Sequence, residues 1–380
     1  MVAAVASFGD LITVRPLMTR VIHLTDTHCD YQTATAVEQL TSRAGHDAAI
    51  RTIGRGGNFT TFPIAVLKLR EQIGDAQLIH AWGAVPLWVA AMGSRRKIVY
   101  SPTHYPTKHD VKWLRAIMSV REVQVVCPTD TMRRAFVERG VPIERCHLIR
   151  PGVDFGKINR RRNDALRASY GFSPKDVVIL ACGESMRGAN HHLTILTATV
   201  LNVYDPKFKL LLWGKGPLTE SERKYCYCML PPNFISIATD RDRNVTYEQL
   251  LPASDVMLVT ADKPIPTLPI AVCMAAGLPI VSTLTTTVAE LLEDRHNALF
   301  TKRKTTRLIS RRILDLLDDP QLQWQIADRA KTEAYEFFSM TRFVSQYREV
   351  YEQVAAGDRV ELQHKAPGAG TRFMGIGAEN

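Results

Sequence analysis

The chain has 380 residues, 46% of them hydrophobic, with 48 Lys and Arg against 38 Asp and Glu for a formal net charge of +10. That length suits two domains, and no apolar run reaches the roughly 18 to 20 residues that a bilayer-spanning helix needs. No helix-turn-helix, zinc-finger spacing or aromatic-basic sheet motif accompanies the basic charge, so no nucleic-acid partner is expected; a polyanionic ligand or an anionic membrane surface fits it instead.

Residues 1–17 lack a basic start and carry Asp10, which argues against a signal peptide; they read as a disordered extension. From Val21 onward short apolar runs alternate with helical patterns, the signature of α/β units around parallel sheets. In the first half, VIHLTD (21–26), DAAIRTI (47–53), AQLIHAW (76–82), KIVYSP (97–102) and VQVVCP (123–128) read as strands, with helices over 34–44 and 131–139. In the second, VVILACG (177–183), KLLLWG (209–214), FISIA (234–238), VMLVTA (256–261) and LPIVST (278–283) repeat the arrangement. The expectation is two Rossmann-like lobes. The first spans 18–156 and the second 157–335, joined at Pro151-Gly152 and the basic KINRRRND segment. EAYEFFSMTRFVSQYREVYEQV (333–354) predicts a helix with core-facing aromatics, and the Gly-rich residues 358–380 predict a disordered tail.

Seven cysteines without a paired framework suit a reducing compartment, hence a cytoplasmic location. Cys226 and Cys228 lack the usual zinc spacing and His191-His192 has no third ligand at a recognisable spacing, so no metal site is expected. The segment KHDVKWLRAIMSV (108–120) mixes Lys112 and Arg115 with Trp113, Leu114 and Ile117, a pattern found both in lobe helices and in helices lying on anionic membranes.

Three runs carry a resemblance: CPTDTMRRAFVERGVP (127–142), LIRPGVD (148–154) and TADKPIPTLPIAVCMAAGLP (260–279). Together with Trp213-Gly214-Lys215-Gly216-Pro217, Ala253-Ser254-Asp255-Val256 and Val288-Ala289-Glu290-Leu291, in this order, they resemble glycosyltransferase family 4. The resemblance implies a GT-B fold: two lobes, a cleft between them, and a C-terminal helix over 336–357 returning to the first lobe. It implies transfer of a hexose from a nucleotide-sugar to a glycan or lipid-linked acceptor, retaining and metal-independent, in polysaccharide synthesis. The nucleotide-sugar is then a substrate and no further cofactor is needed. Contact with the inner face of an anionic membrane would be peripheral.

The family's donor-site residues are largely replaced. A glutamate ahead of the Ala-Met-Ala-x-Gly run and another eight residues earlier become Val272 and Pro264; the Gly-Arg of the second lobe becomes Gly183-Glu184, and its lysine falls at Ala189. One glycine pair is replaced by residues of the run Cys29-Asp30-Tyr31-Gln32, the other by Thr286-Thr287. The missing cations hold the departing diphosphate, and two charge-assisted bonds of that kind amount to roughly a 10²- to 10⁴-fold difference in donor interaction. Arg187 and Lys215 stand near enough to form an altered clamp, with the amides of Thr267 and Leu268 and the residues Thr286 and Thr287 completing the donor site. His104, after the strand IVYSP, matches a histidine that contacts the donor sugar in the family. The alternative is a catalytically inactive GT-B protein that binds a glycan, nucleotide or protein partner; an epimerase or phosphorylase of the same fold fits the motif order less well.

Overall fold

A computed structural model describes residues 19–27, 29–43, 48–53, 62–229, 234–358, 360 and 362. The expected extension at 1–17, His28, and all but the first few residues of the expected tail lie outside the described residues.

Each half of the chain builds one six-stranded sheet. The first contains β1 (Val21–Asp26), β2 (Ala48–Ile53), β3 (Leu78–Trp82), β4 (Lys97–Ser101), β5 (Val123–Cys127) and β6 (Cys146–Leu148), in the order β2-β1-β3-β4-β5-β6. The second contains β7 (Val177–Ala181), β8 (Phe208–Leu212), β9 (Ile235–Ile237), β10 (Val256–Val259), β11 (Ile280–Thr283) and β12 (Leu299–Thr301), in the order β12-β11-β10-β7-β8-β9. Every pairing is parallel; Val21 lies opposite Ala48 on one side and Leu78 on the other. Helices cover parallel sheets on both faces, which is why central strands such as LIHAW and VQVVC are buried throughout. The fold is α/β of GT-B type.

Strand order reverses between β1 and β3 and again between β7 and β10. At such points the loops leaving the carboxyl ends of the strands diverge and open a crevice, and here the two crevices face each other.

Two details depart from the sequence expectation. The edge strands β6 and β12, three residues each, were not anticipated. The helical segment at 333–354 is two helices, Pro320–Phe337 and Met340–Ala356. The chain breaks there because Phe338 O accepts from Val153 N at 2.7 Å, and Ser339 starts the new helix by accepting from Arg342 N at 3.2 Å.

That last helix seals the first lobe. Met340, Phe343, Val344, Tyr347, Val350, Tyr351 and Val354 are buried against Val21, Val37, Leu78, Trp82 and Val99. Gly152 makes the crossing possible, since a Cβ there would stand 2.8 Å from the Phe343 Cβ and 2.9 Å from the Met340 sulfur.

Candidate active-site cleft

A cavity of about 120 Å³ joins the two crevices. From the first lobe come Asp30, Gln32 and Thr33 after β1, Trp82 ending β3, and residues 101–105 after β4. The second lobe adds Met186, residues 264–267 and Thr287, and the last helix supplies Phe343 and Tyr347. Among the described residues lining it there is no Lys or Arg; Asp30 is the one acid and His104 the one histidine.

Three helices end at this cleft with their amino termini inward, and a helix amino terminus presents amides without intrahelical partners. In helix Tyr31–Arg43, Asp30 accepts from Thr33 N at 2.6 Å, and the free amide of Tyr31 donates to Glu184 of the second lobe at 2.9 Å. In helix Asp130–Glu138, Thr129 accepts from Met132 N at 3.2 Å, while the amides of Asp130 and Thr131 both reach the carboxylate of Glu290. Helix Leu268–Ala275 is the reverse case. Its first amides, on Thr267 and Leu268, donate to Gln32 Oε1 of the first lobe at 3.0 and 2.9 Å. Tyr31 adds a wedge, its ring 4.6 Å from Tyr247 and 5.4 Å from Trp213 and its hydroxyl 3.2 Å from Glu248.

The acids of these ties feel their burial. The Glu184 carboxyl is pushed up to about 7 by desolvation and by Asp30 beside it, against the opposing pull of the Tyr31 amide and Lys215. Burial likewise raises Asp30 and Glu290 above the usual carboxylate range. Two hydroxyls in the cavity wall, Thr267 Oγ1 and Thr287 Oγ1, are buried without a hydrogen-bond partner.

The sequence-predicted residues are scattered around this geometry. Thr267 and Thr287 line the cavity and Leu268 offers its amide to Gln32, while Thr286 is exposed. His104 lines the cavity with its side chain 54% exposed, Nε2 lying 3.4 Å from Asp110 Oδ2. Arg187 is exposed beside the cavity-lining Met186 and is not itself a lining residue. Lys215 is half-buried with Nζ 5.1 Å above the Trp213 ring. Its turn is pinned because Gly216 packs so closely on Ser185 that a Cβ would come within 2.6 Å of the Ser185 amide nitrogen. The structure therefore does not bring Arg187 and Lys215 together at the cavity. His191 is buried with Nδ1 3.5 Å from Glu222, and no metal-holding cluster is found among the described residues. Cys29, Cys127, Cys146, Cys182, Cys226 and Cys273 are free thiols.

Asp30, Gln32, Glu184 and Glu290 are the cleft residues that sequence reasoning left without a role. For Asp30, Gln32 and Glu184 the signal was a polar residue where the family has glycine or arginine, whereas Glu290 stood in a run that matches the family.

Comparison with known proteins closes the assignment. Residues 25–157 match the family described as Glycosyltransferase Family 4 and residues 162–333 that described as Glycosyl transferases group 1. The chain belongs to this glycosyltransferase family. Among curated proteins it is 24% identical over 204 residues to N-acetyl-alpha-D-glucosaminyl L-malate synthase of Bacillus anthracis, covering 53% of this chain. It spans about half, 51%, of that relative's length. Among solved structures, Anabaena HepE in complex with UDP and glucose superposes with a TM-score of 0.73 at 17% identity, covering 88% of this chain and 99% of that one. Sucrose-phosphate synthase from Thermosynechococcus elongatus gives 0.74 at 14% identity, covering 89% and 100%. At these identities the structural likeness speaks for the GT-B fold. No helix among the described residues is long and apolar enough to cross a membrane.

Proposed function

We propose that this family member binds a nucleotide-sugar in the cleft and transfers the sugar to a hydroxyl of a glycan or lipid-linked acceptor, with retention and without a metal. The observation that carries the proposal is the helix Leu268–Ala275, aimed at a cavity shared by both lobes, with two unpartnered buried hydroxyls beside it. Helix amides and a positive dipole end stabilise phosphate, and hydroxyls add donors that need no charge. Diphosphate charge growing at departure is then met by the amides of Thr267 and Leu268 and by Thr267 and Thr287 hydroxyls. His104 and Asp30, on the opposite wall, are within the same cavity to hydrogen-bond the sugar or the incoming hydroxyl. Arg187, exposed beside the cavity-lining Met186, and Lys215, half-buried over the Trp213 ring, remain part of the proposal as candidate phosphate-binding cations. HepE's complex with UDP and glucose supports the choice of donor class.

A second reading, a binding protein without turnover, is favoured by one observation: no Lys or Arg among the described residues lines the cavity. One experiment separates the two. Thermal stabilisation by a panel of nucleotide-sugars, followed by release of free nucleotide, is expected to show both effects with one donor. Stabilisation without release supports the binding protein, and neither effect with any donor removes the nucleotide-sugar role and leaves only a glycan- or protein-binding function.

Peripheral membrane contact belongs to the proposal as well. Helix Lys108–Met118 buries Val111, Leu114 and Ile117 yet leaves Trp113 42% exposed, edge-to-face on Trp88 at 5.1 Å. Flotation with anionic liposomes, abolished by Trp113→Ser, is the expected outcome; wild type that stays with the unbound fraction removes the membrane role.

A further inference from the structure

The two amides that a diphosphate would need are already in use. Thr267 N and Leu268 N both donate to the carboxamide oxygen of Gln32, which reaches them from the other lobe. No neighbouring backbone donor can substitute, because Pro266 and Pro269 flank the pair and have none. Gln32 does not exhaust this end of the helix, however. Thr267 Oγ1 and Thr287 Oγ1 lie in the cavity wall with relative exposures of 1% and 2% and no partner. A buried hydroxyl left without a partner is unfavourable, so the site has more donors than its present occupant can satisfy.

The occupant is placed reciprocally. Gln32 sits in the first turn of helix Tyr31–Arg43, whose own leading amide is held by Glu184 of the second lobe. Each of the two helix ends is thus filled by a side chain from the opposite lobe. The Glu290 contact with the amides of Asp130 and Thr131 ties the lobes at a third point, so removing Gln32 alone frees two amides while the other ties persist.

We infer that Gln32 is an intramolecular competitor of the donor, its carboxamide oxygen occupying the amides of Thr267 and Leu268 until phosphate oxygens replace it, and that this residue thereby sets donor affinity. The inference rests on the nucleotide-sugar reading given above. Its physical basis is a ranking of acceptors: a phosphate oxygen forms a charge-assisted bond roughly twice as strong as the bond to a neutral carboxamide. The amide is therefore a displaceable occupant, whereas a carboxylate at position 32 would be a tenacious one.

Two substitutions of opposite sign test it. Gln32→Ala is expected to tighten UDP, GDP or pyrophosphate binding in calorimetry by roughly 5- to 50-fold, the equivalent of two neutral hydrogen bonds. Gln32→Glu is expected to weaken binding below wild type. An independent readout is hydrogen exchange in the peptide spanning 264–270, where the amides of Thr267 and Leu268 should exchange faster in Gln32→Ala without any ligand. Unchanged exchange in that peptide overturns the inference, as does faster exchange with unchanged or weaker binding. Faster exchange with no binding of any probe by any form keeps Gln32 as the occupant of the amides and sinks the donor reading instead.

Discussion

Glu184 holds its proton to about pH 7 because desolvation and the neighbouring Asp30 disfavour the anion more than the Tyr31 amide and Lys215 favour it. Cys29 and Tyr247, both shifted upward by their own burial, face the same point. The sign follows from linkage. An acid whose value rises from 4.5 in solvent to about 7 between the lobes binds its proton better in the closed form. Its contribution to closure is therefore full below about pH 4.5, declines as the pH rises through that window, and is gone above about 7. Scattering measured from about pH 5 to 8 is expected to show the radius of gyration growing across this interval, with Glu184→Gln flattening the change; a wild-type radius that does not move refutes the assignment. Arg167 illustrates the opposite kind of buried charge. Fully enclosed, it meets Asp255 through Nη1 at 3.2 and 3.1 Å and donates to Ala253 O at 3.2 Å. Arg167→Met leaves Asp255 without its hydrogen-bonded guanidinium and is expected to lower stability by about 3 kcal/mol in urea unfolding, whereas a loss under about 1 kcal/mol would mean that water replaces the guanidinium.

At the scale of elements, the strands of both sheets were readable because burial on both faces makes them near-continuous apolar runs such as VVILA. The edge strands β6 (CHL) and β12 (LFT) escaped notice because three residues carry no period, and unlike β9 in FISIA they stand in no longer apolar run flanked by turn residues. The break at Phe338-Ser339 escaped for a different reason: the apolar spacing continues through it, and only the Val153 N to Phe338 O bond ends the first helix. The site was legible at its scaffold, the helix ends and glycine turns, and not at its occupants. Gln32 and Thr267 are 235 residues apart, and no local pattern announces that two lobes will bring them within 3.0 Å. Gly152 offers an elemental test. Replacing it with alanine drives a methyl into Phe343 and Met340, with an expected loss of about 1 to 3 kcal/mol from overpacking. A compensating Phe343→Leu should recover part of it if the clash is the cause.

For the whole molecule, the last helix decides whether the first lobe is a finished object. Seven of its side chains are buried, and at about 1.5 to 3 kcal/mol for each large apolar group their removal forfeits on the order of 10 to 20 kcal/mol, as much as the roughly 5 to 15 kcal/mol by which domains are usually stable. His80 is bound from this helix by the Tyr351 hydroxyl at 2.7 Å. A chain stopped after residue 339 is accordingly expected to bind a hydrophobic dye and to lose the cooperative melting of its first lobe. A second, unaltered transition belonging to the other sheet should survive.

The same helix has a consequence for the order of events on the ribosome. The strands of the first sheet end at Leu148, yet the segment that roofs them begins only at Met340. Between those two moments the translating chain carries a hollow lobe with Trp82, Leu78 and Val99 uncovered. At ordinary elongation speeds this lasts roughly ten to forty seconds, during which an apolar face of the first lobe stands open to solvent.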